Sequence, residues 1–302
     1  MSNLILLFVC LGVGMLLRRV KGLPDGAYLV LNTFLLNVCL PALTLLYTVE
    51  ITLTPTAFLP VAVSWILYPI SFLFFRLLAP ILHLDRATTG VLTMTAGISS
   101  ISFVGFPIFE LLYGKEGLKM GILMSQSGSF LVCGTLGIMT ASYYAAENFS
   151  VKQLIKNTFS FPPFVAFCVA LCLKFTGYHH PPLLAEILQK LGSPFSIIAL
   201  ISIGLQIEFS RESLQVKPLV WGLFFKLLLA PLIIFIIYVI LFKQSGDVIN
   251  LCIIGAALGP MNTGAIIAAR FKLNPALATQ MVGIGIPLSL VVVAVLHILI
   301  GG

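Results

Sequence analysis

Ser99, Ser100 and Ser102 form one polar group inside a stretch that is otherwise apolar, and Asn262 and Thr263 form another. Each group lies near a glycine and a proline: Gly105 and Pro107 for the first, Gly259 and Pro260 for the second. Proline removes a backbone donor and clashes with the preceding turn, so both stretches are expected to be helices broken in mid-course at those residues. A broken helix offers a fresh N-terminus with partial positive charge and unpaired N–H groups. Two such ends side by side make a site for an anion. No Asp or Glu occurs within 97–109 or 255–269 to neutralise them. The chemistry expected is therefore binding of an anion rather than a bare cation. The five polar side chains either add hydrogen bonds to that ligand or satisfy the broken backbone; an amide such as Asn262 is too polar to sit idle in lipid.

Three further side chains belong with this group. Gln126 lies in the polar patch Ser125-Gln-Ser-Gly-Ser129 and is expected either to line the same cavity or to bridge two helices. Asn37 precedes Pro41 and is a candidate for the cavity wall. Lys226 is a charge within the apolar run 217–242. A lysine near mid-bilayer costs about 2.5–3.5 kcal/mol on insertion scales, so it is expected to face the protein interior. There it could support the helix breaks, meet a carboxylate, or act in coupling by changing protonation; snorkelling to the interface is the alternative.

These groups need elements that hold them in a membrane. The chain has 302 residues, 59% hydrophobic and 9% charged, far from soluble composition. Apolar runs of about 20 residues recur along its length, the signature of a polytopic helical membrane protein. The basic residues Arg18, Arg19 and Lys21 follow the first apolar run, as expected of an uncleaved first span rather than a signal peptide. The net charge of +7 is scattered through short loops, which is not a nucleic-acid footprint. All six cysteines lie in apolar runs and read as packing residues. The four histidines have no Cys or carboxylate at ligand spacing, so neither a metal nor a cofactor is expected. No Gly-x-Ser-x-Gly, intramembrane Asp pair or His-Glu-x-x-His is present, which argues against an intramembrane enzyme.

Ten spans are expected: 4–17, 27–48, 56–80, 90–113, 118–144, 159–176, 184–207, 217–242, 247–270 and 276–299. With the N-terminus outside, the inner loops hold Arg18, Arg19, Lys21, Arg76, Arg86, Lys152, Lys156, Arg211, Lys217, Arg270 and Lys272. The outer loops hold only Lys115, Lys119, Lys174, Lys190 and Lys243. The positive-inside rule then puts both termini outside a cell membrane. Five spans per half enter the membrane in opposite senses, so the halves 1–144 and 159–302 form an inverted repeat joined by a cytoplasmic linker, 145–158. Two proline pairs share one offset, 260 − 107 = 153 and 194 − 41 = 153, mapping span two onto seven and four onto nine. Corresponding interrupted spans in two halves point to a transporter binding site.

Four segments resemble motifs of the auxin efflux carrier family, the bacterial relatives of plant PIN carriers. They are Leu31-Asn-Thr-Phe-Leu-Leu-Asn-Val-Cys-Leu-Pro-Ala42, Val104-Gly-Phe-Pro-Ile-Phe-Glu-Leu-Leu-Tyr-Gly-Lys-Glu-Gly117, Phe225-Lys-Leu-Leu-Leu-Ala-Pro231 and Ala257-Leu-Gly-Pro-Met-Asn-Thr-Gly-Ala-Ile-Ile-Ala-Ala-Arg-Phe-Lys-Leu-Asn-Pro275. The resemblance implies an all-α, ten-span, five-plus-five inverted repeat with spans four and nine crossing, an architecture shared with sodium/proton antiporters and bile-acid symporters. Spans one, two, six and seven would form a scaffold that dimerises; the other six would form a mobile transport unit. The implied substrates are small organic anions, carboxylates or auxin-like acids. Ser100 stands where many relatives have Asn, and Gly-Pro-Met-Asn-Thr replaces the usual ninth-span Leu-Pro-Thr-Ala-Val-Asn. The expected function is a secondary transporter working by uniport or by H⁺ symport through Lys226 or a protonated substrate. A bile-acid-type Na⁺ symporter and a receptor or channel on the same scaffold are the alternatives.

Overall fold

Large apolar side chains cover the surface, while a set of polar side chains is buried in the interior. Leu77, Ile81, Leu183, Ile298 and Leu299 are among the exposed side chains, whereas Ser71, Thr93, Thr95, Gln126, Ser202 and Lys226 are fully buried. A chain so arranged turns its oil outward and satisfies its polar groups within, as a lipid solvent demands. The structure, a computed structural model, describes residues 2–300 apart from 21–22, 25, 53, 147–158, 160 and 207–213. Every regular element among the described residues is helical. Six stretches are long and apolar enough to cross a membrane, and two shorter apolar helices accompany them. Of the expected linker 145–158, only residues 145 and 146 are described, and Lys21, Lys152, Lys156 and Arg211 of the charge pattern also lie outside the described residues.

In chain order the helices are α1 (Ser2–Leu17), α2 (Ala27–Phe34), α3 (Leu40–Glu50), α4 (Phe58–Leu82), α5 (Arg86–Gly97), α6 (Phe106–Leu123) and α7 (Ile138–Ala145). After the linker come α8 (Pro162–Phe175), α9 (Pro182–Gly192), α10 (Phe195–Gln206), α11 (Val216–Phe224) and α12 (Ala230–Phe235). The chain ends with α13 (Asp247–Ala257), α14 (Asn262–Arg270) and α15 (Pro275–Ile300). Gly114 interrupts α6 with φ 63° and ψ −151°, a conformation that excludes most L side chains.

Wide π turns join several of these helices, and three of them stand in one relation to a proline. Leu35–Cys39 precedes Pro41, Ile101–Gly105 precedes Pro107, and Phe225–Leu229 precedes Pro231. In each case the turn begins six residues before the ring (41 − 35 = 107 − 101 = 231 − 225 = 6). Widening the turn moves the displaced carbonyl off the proline ring, so the helix continues where a strict α-helix would kink. This corrects one expectation. Gly105 and Pro107 do not break their helix; Gly105 has ordinary helical angles, φ −71° and ψ −45°. The interruption falls earlier, at Ile98–Ser100, where Ile98 is extended at φ −125° and ψ 131°. The second interruption does fall at Gly259 and Pro260, between α13 and α14. The two breaks are thus separated by 260 − 99 = 161 residues, and the shared proline offset of 153 does not align them.

Polar contacts gather at two opposite ends of the helices. At one end Arg86 donates to the Tyr143 carbonyl at 2.7 Å and Arg76 to the Tyr143 hydroxyl at 3.0 Å. There Asn274 also donates to Thr88 Oγ1 and Gln215 Oε1, both at 2.8 Å, and accepts from Gln215 Nε2 at 2.9 Å. This knot ties the N-terminal ends of α5, α11 and α15 together. At the other end Lys119 pairs with Glu50 at 3.1 Å and Lys174 donates to the Val49 carbonyl at 3.1 Å.

Helix α1 packs along α10 with backbone against backbone. A Cβ on Gly14 would lie 2.2 Å from the Ile201 oxygen and 2.8 Å from Gly204 Cα. Small residues let helices approach this closely in lipid, where packing replaces the hydrophobic drive.

Candidate functional site

The two breaks meet. Ser99 and Pro260 form an isolated antiparallel bridge. The Ser100 N–H donates to the Gly259 carbonyl at 2.9 Å, and the Met261 N–H donates to the Ile98 carbonyl at 3.1 Å. Each interrupted helix therefore supplies the partners that the other has lost, and the backbone is satisfied in a region without water. Gly259 lets α15 pack against this junction: a Cβ there would fall 2.7 Å from Ile286 Cα and 3.1 Å from its nitrogen. Gly105 has a related use, since a Cβ at that position would lie 2.8 Å from the Leu258 side chain.

Lys226 reaches this junction. It is fully buried, in the π turn ahead of Pro231, and its ammonium donates to Ser99 Oγ at 2.5 Å. Among the described residues no carboxylate lies within ion-pair distance of it. Ser99 follows the C-terminal end of α5, where unpaired carbonyls carry partial negative charge, so the ammonium sits where a helix dipole favours a cation. Ser99 thus binds the lysine. Ser100 is buried beside it, with its backbone committed to Gly259.

A second polar layer adjoins the first. Ser102 Oγ lies 2.7 Å from Ser125 Oγ, which joins the half-helix after the break to the π turn Met124–Phe130. That turn is held from α4 by Ser64, 2.9 Å from Ser129 Oγ, and by Trp65, whose indole donates to the Ser127 carbonyl at 3.0 Å. The wide turn frees the carbonyl that Trp65 takes up. Gln126, in the same turn, is fully buried, and neither its amide nitrogen nor its amide oxygen has a hydrogen-bond partner among the described residues. Buried amides are ordinarily satisfied, so Gln126 is the side chain of this layer with hydrogen-bonding capacity left over among the described residues.

Of the other expected residues, Asn262 opens α14 directly after the second break and is partly buried. Thr263, next to it, is exposed. Asn37 is engaged elsewhere, donating from Nδ2 to the Thr33 carbonyl of its own helix at 2.7 Å. Asn32 accepts from Ser202 Oγ at 2.6 Å and braces α2 against α10. One charged residue escaped the sequence reading: Glu110 lies one position beyond the acid-free window that ended at 109. Its carboxylate accepts from Ser196 Oγ at 2.5 Å. The signal was present in the sequence, as an acid within an expected span.

The family described as "Membrane transport protein" matches residues 1–297. The chain is similar to an uncharacterised transporter of Methanothermobacter thermautotrophicus, 27% identical over 293 residues, covering 95% of this chain and 93% of the relative. It is also similar to an uncharacterised transporter of Methanocaldococcus jannaschii, 23% identical over 206 residues, covering 65% of this chain and 62% of that one.

Proposed function

The chain belongs to the auxin efflux carrier family of membrane transport proteins, and from that premise we propose that it is a secondary transporter of a small organic anion, working by alternating access around the paired breaks. The observation that carries this reading is Lys226, buried at the junction with a serine hydroxyl as partner and no carboxylate in reach among the described residues. Where two broken helices cross, two C-terminal and two N-terminal ends come together. A lysine at the C-terminal end of α5 offsets negative dipole ends and leaves the N-termini of the second half-helices as an uncompensated positive field. A carboxylate there gains from that field, from the Gln126 amide and from Asn262.

In this reading spans four and nine cross at 98–100 and 258–261 within an inverted repeat of halves 1–144 and 159–302. Helices α1–α3 and α8–α10 are the scaffold through which two copies associate, and the remaining helices move against it. Both termini face outward across the cell membrane. The substrate is a carboxylate or auxin-like acid.

Counterflow in proteoliposomes tests the reading: unlabelled anion inside, labelled anion outside, across mono- and dicarboxylates and indole acids. Transient accumulation of one class is expected. Folded protein that accumulates none of them would overturn the anion reading, and steady equilibration without overshoot would indicate a channel. Asn262→Ala should lower counterflow about tenfold, corresponding to about 1.4 kcal/mol, with an unchanged size-exclusion profile. Wild-type uptake and affinity in this variant would remove Asn262 from the site.

A further inference from the structure

We propose that Gln126 makes the carrier selective for acids that bear a neutral hydrogen-bond donor, a hydroxyl or an N–H, in addition to their carboxylate. The proposal rests on the transport reading above and deepens it by naming the substrate class and the residue that selects it.

The Gln126 amide is fully buried, and both its nitrogen and its oxygen lack a partner among the described residues. Its polar neighbours in the π turn are already engaged. Ser125 Oγ lies 2.7 Å from Ser102 Oγ, Ser129 Oγ lies 2.9 Å from Ser64 Oγ, and the Ser127 carbonyl accepts from Trp65. A primary amide has two N–H donors and an acceptor oxygen. This side chain can therefore both give and take a hydrogen bond.

A second set of open groups lies close by. The helical run that begins at Ile101 continues through α6. At its start the Ser100 N–H donates to the Gly259 carbonyl and the Ile101 N–H to the Ser99 carbonyl, both at 2.9 Å. The next two N–H groups, of Ser102 and Phe103, have no backbone acceptor among the described residues. They are the orphan donors of a helix start, and a carboxylate is the group such a start takes up. The Ser102–Ser125 contact ties this start to the residue beside Gln126. Donors for a carboxylate and an amide with a spare acceptor are thus held in one layer.

The layer also lies where a moving unit must part from its support. Phe130, four residues after Gln126, shares its side of the turn. The Phe130 ring stacks on Phe161 at 4.4 Å and lies 5.3 Å from Phe164, at the start of α8. Helix α8 belongs to the scaffold in the transport reading. When that seam opens, water reaches the amide. A ligand that enters replaces this water and must return its hydrogen bonds, or affinity is lost.

An ionised carboxylate only accepts. It can serve the Ser102 and Phe103 N–H groups and Gln126 Nε2, but it cannot serve Gln126 Oε1. An acid with no other polar group leaves that oxygen buried and unpaired when the seam closes. A hydroxyl or an N–H on the acid donates to it. A site built to hydrogen-bond such a group rejects the analogue lacking it more sharply than an apolar pocket rejects a missing methylene.

The test is counterflow in proteoliposomes at neutral pH, where every acid used is ionised. Matched acids are compared: lactate with propionate, malate with succinate, and indoleacetate with naphthaleneacetate. The first two pairs read a hydroxyl and the third an N–H. In the pair whose size fits, the wild type should bind the donor-bearing acid at least about tenfold more tightly. Gln126→Leu should bring the two acids level, chiefly by weakening the donor-bearing one. Equal affinities within every wild-type pair would overturn the proposal and leave the anion reading standing, as would a preference that survives in Gln126→Leu. Counterflow of no acid at all would overturn the anion reading and this proposal with it. Thermal unfolding in detergent gives a readout that needs no substrate. Leu removes an amide that has no partner within the fold, so Gln126→Leu should unfold at or above the wild-type temperature. A large fall, or a variant that cannot be recovered folded, would make Gln126 a structural hydrogen bond and overturn the proposal.

Discussion

Lys226→Met should leave the protein at least as stable in detergent as the wild type while reducing anion counterflow by tenfold or more. The two effects separate because they come from different terms. Met fills a similar volume without a charge, and replacing a buried ion by an apolar side chain of like size is often neutral or stabilising. The Ser99 hydroxyl loses its partner, a cost of about 1 kcal/mol. Transport responds to the lost field instead. At an effective dielectric of about 20 and a separation of about 8 Å, one unit charge acts on another with about 2 kcal/mol, which corresponds to roughly a 30-fold loss of affinity. Counterflow titrations alongside thermal unfolding in detergent measure both. Wild-type affinity in the Met variant would make the lysine a support for the helix junction alone, and a large fall in stability would show that its hydrogen bond to Ser99 holds the breaks together.

The second large effect is on folding. Gly14→Leu and Gly204→Leu should each prevent recovery of a monodisperse protein, whereas Gly12→Leu on the same helix should be tolerated. A Cβ on Gly204 would lie 2.4 Å from the Leu11 oxygen and 2.9 Å from Gly14 Cα, and nothing lies within 4 Å of a Cβ on Gly12. The obstructing atoms are backbone, which cannot turn aside as a side chain can. Overpacking typically costs about 1–3 kcal/mol and occasionally more, and here four heavy atoms would enter a contact that has no room for one. Fluorescence-detected size exclusion after stepwise heating reads the result. Equal recovery of Gly14→Leu and Gly12→Leu would mean that α1 and α10 can separate without loss of the fold.

Much of this molecule was legible in the residues themselves. Hydropathy marked the apolar stretches because each must be long enough to cross the bilayer and charge-poor enough to stay there. The polar patch around Gln126, the buried lysine and the break at Gly259-Pro260 could all be read in one dimension, since each is a local departure from an apolar run. The first break was misplaced for a physical reason. Proline chemistry alone places that break at Pro107, but the chain accommodates the ring by widening one turn, and the interruption at Ile98–Ser100 contains neither Gly nor Pro. It persists because Gly259 and Met261 supply its hydrogen bonds from the other half of the chain. Glu110 shows a similar limit, since its place in the sequence says that it lies in a span and not which helix it meets.

The sequence by itself determined that this is a polytopic helical membrane protein, and its motifs pointed to a family of carriers, because lipid constrains composition and helix length strongly and locally. Only the tertiary structure decided where the helices break, that Ser99 binds Lys226 rather than standing free, and that Glu110 rests on Ser196. Those facts depend on which atoms find partners across long stretches of chain, 86 residues for Glu110 and Ser196 and 127 for Ser99 and Lys226. No periodicity within a single span records such a pairing.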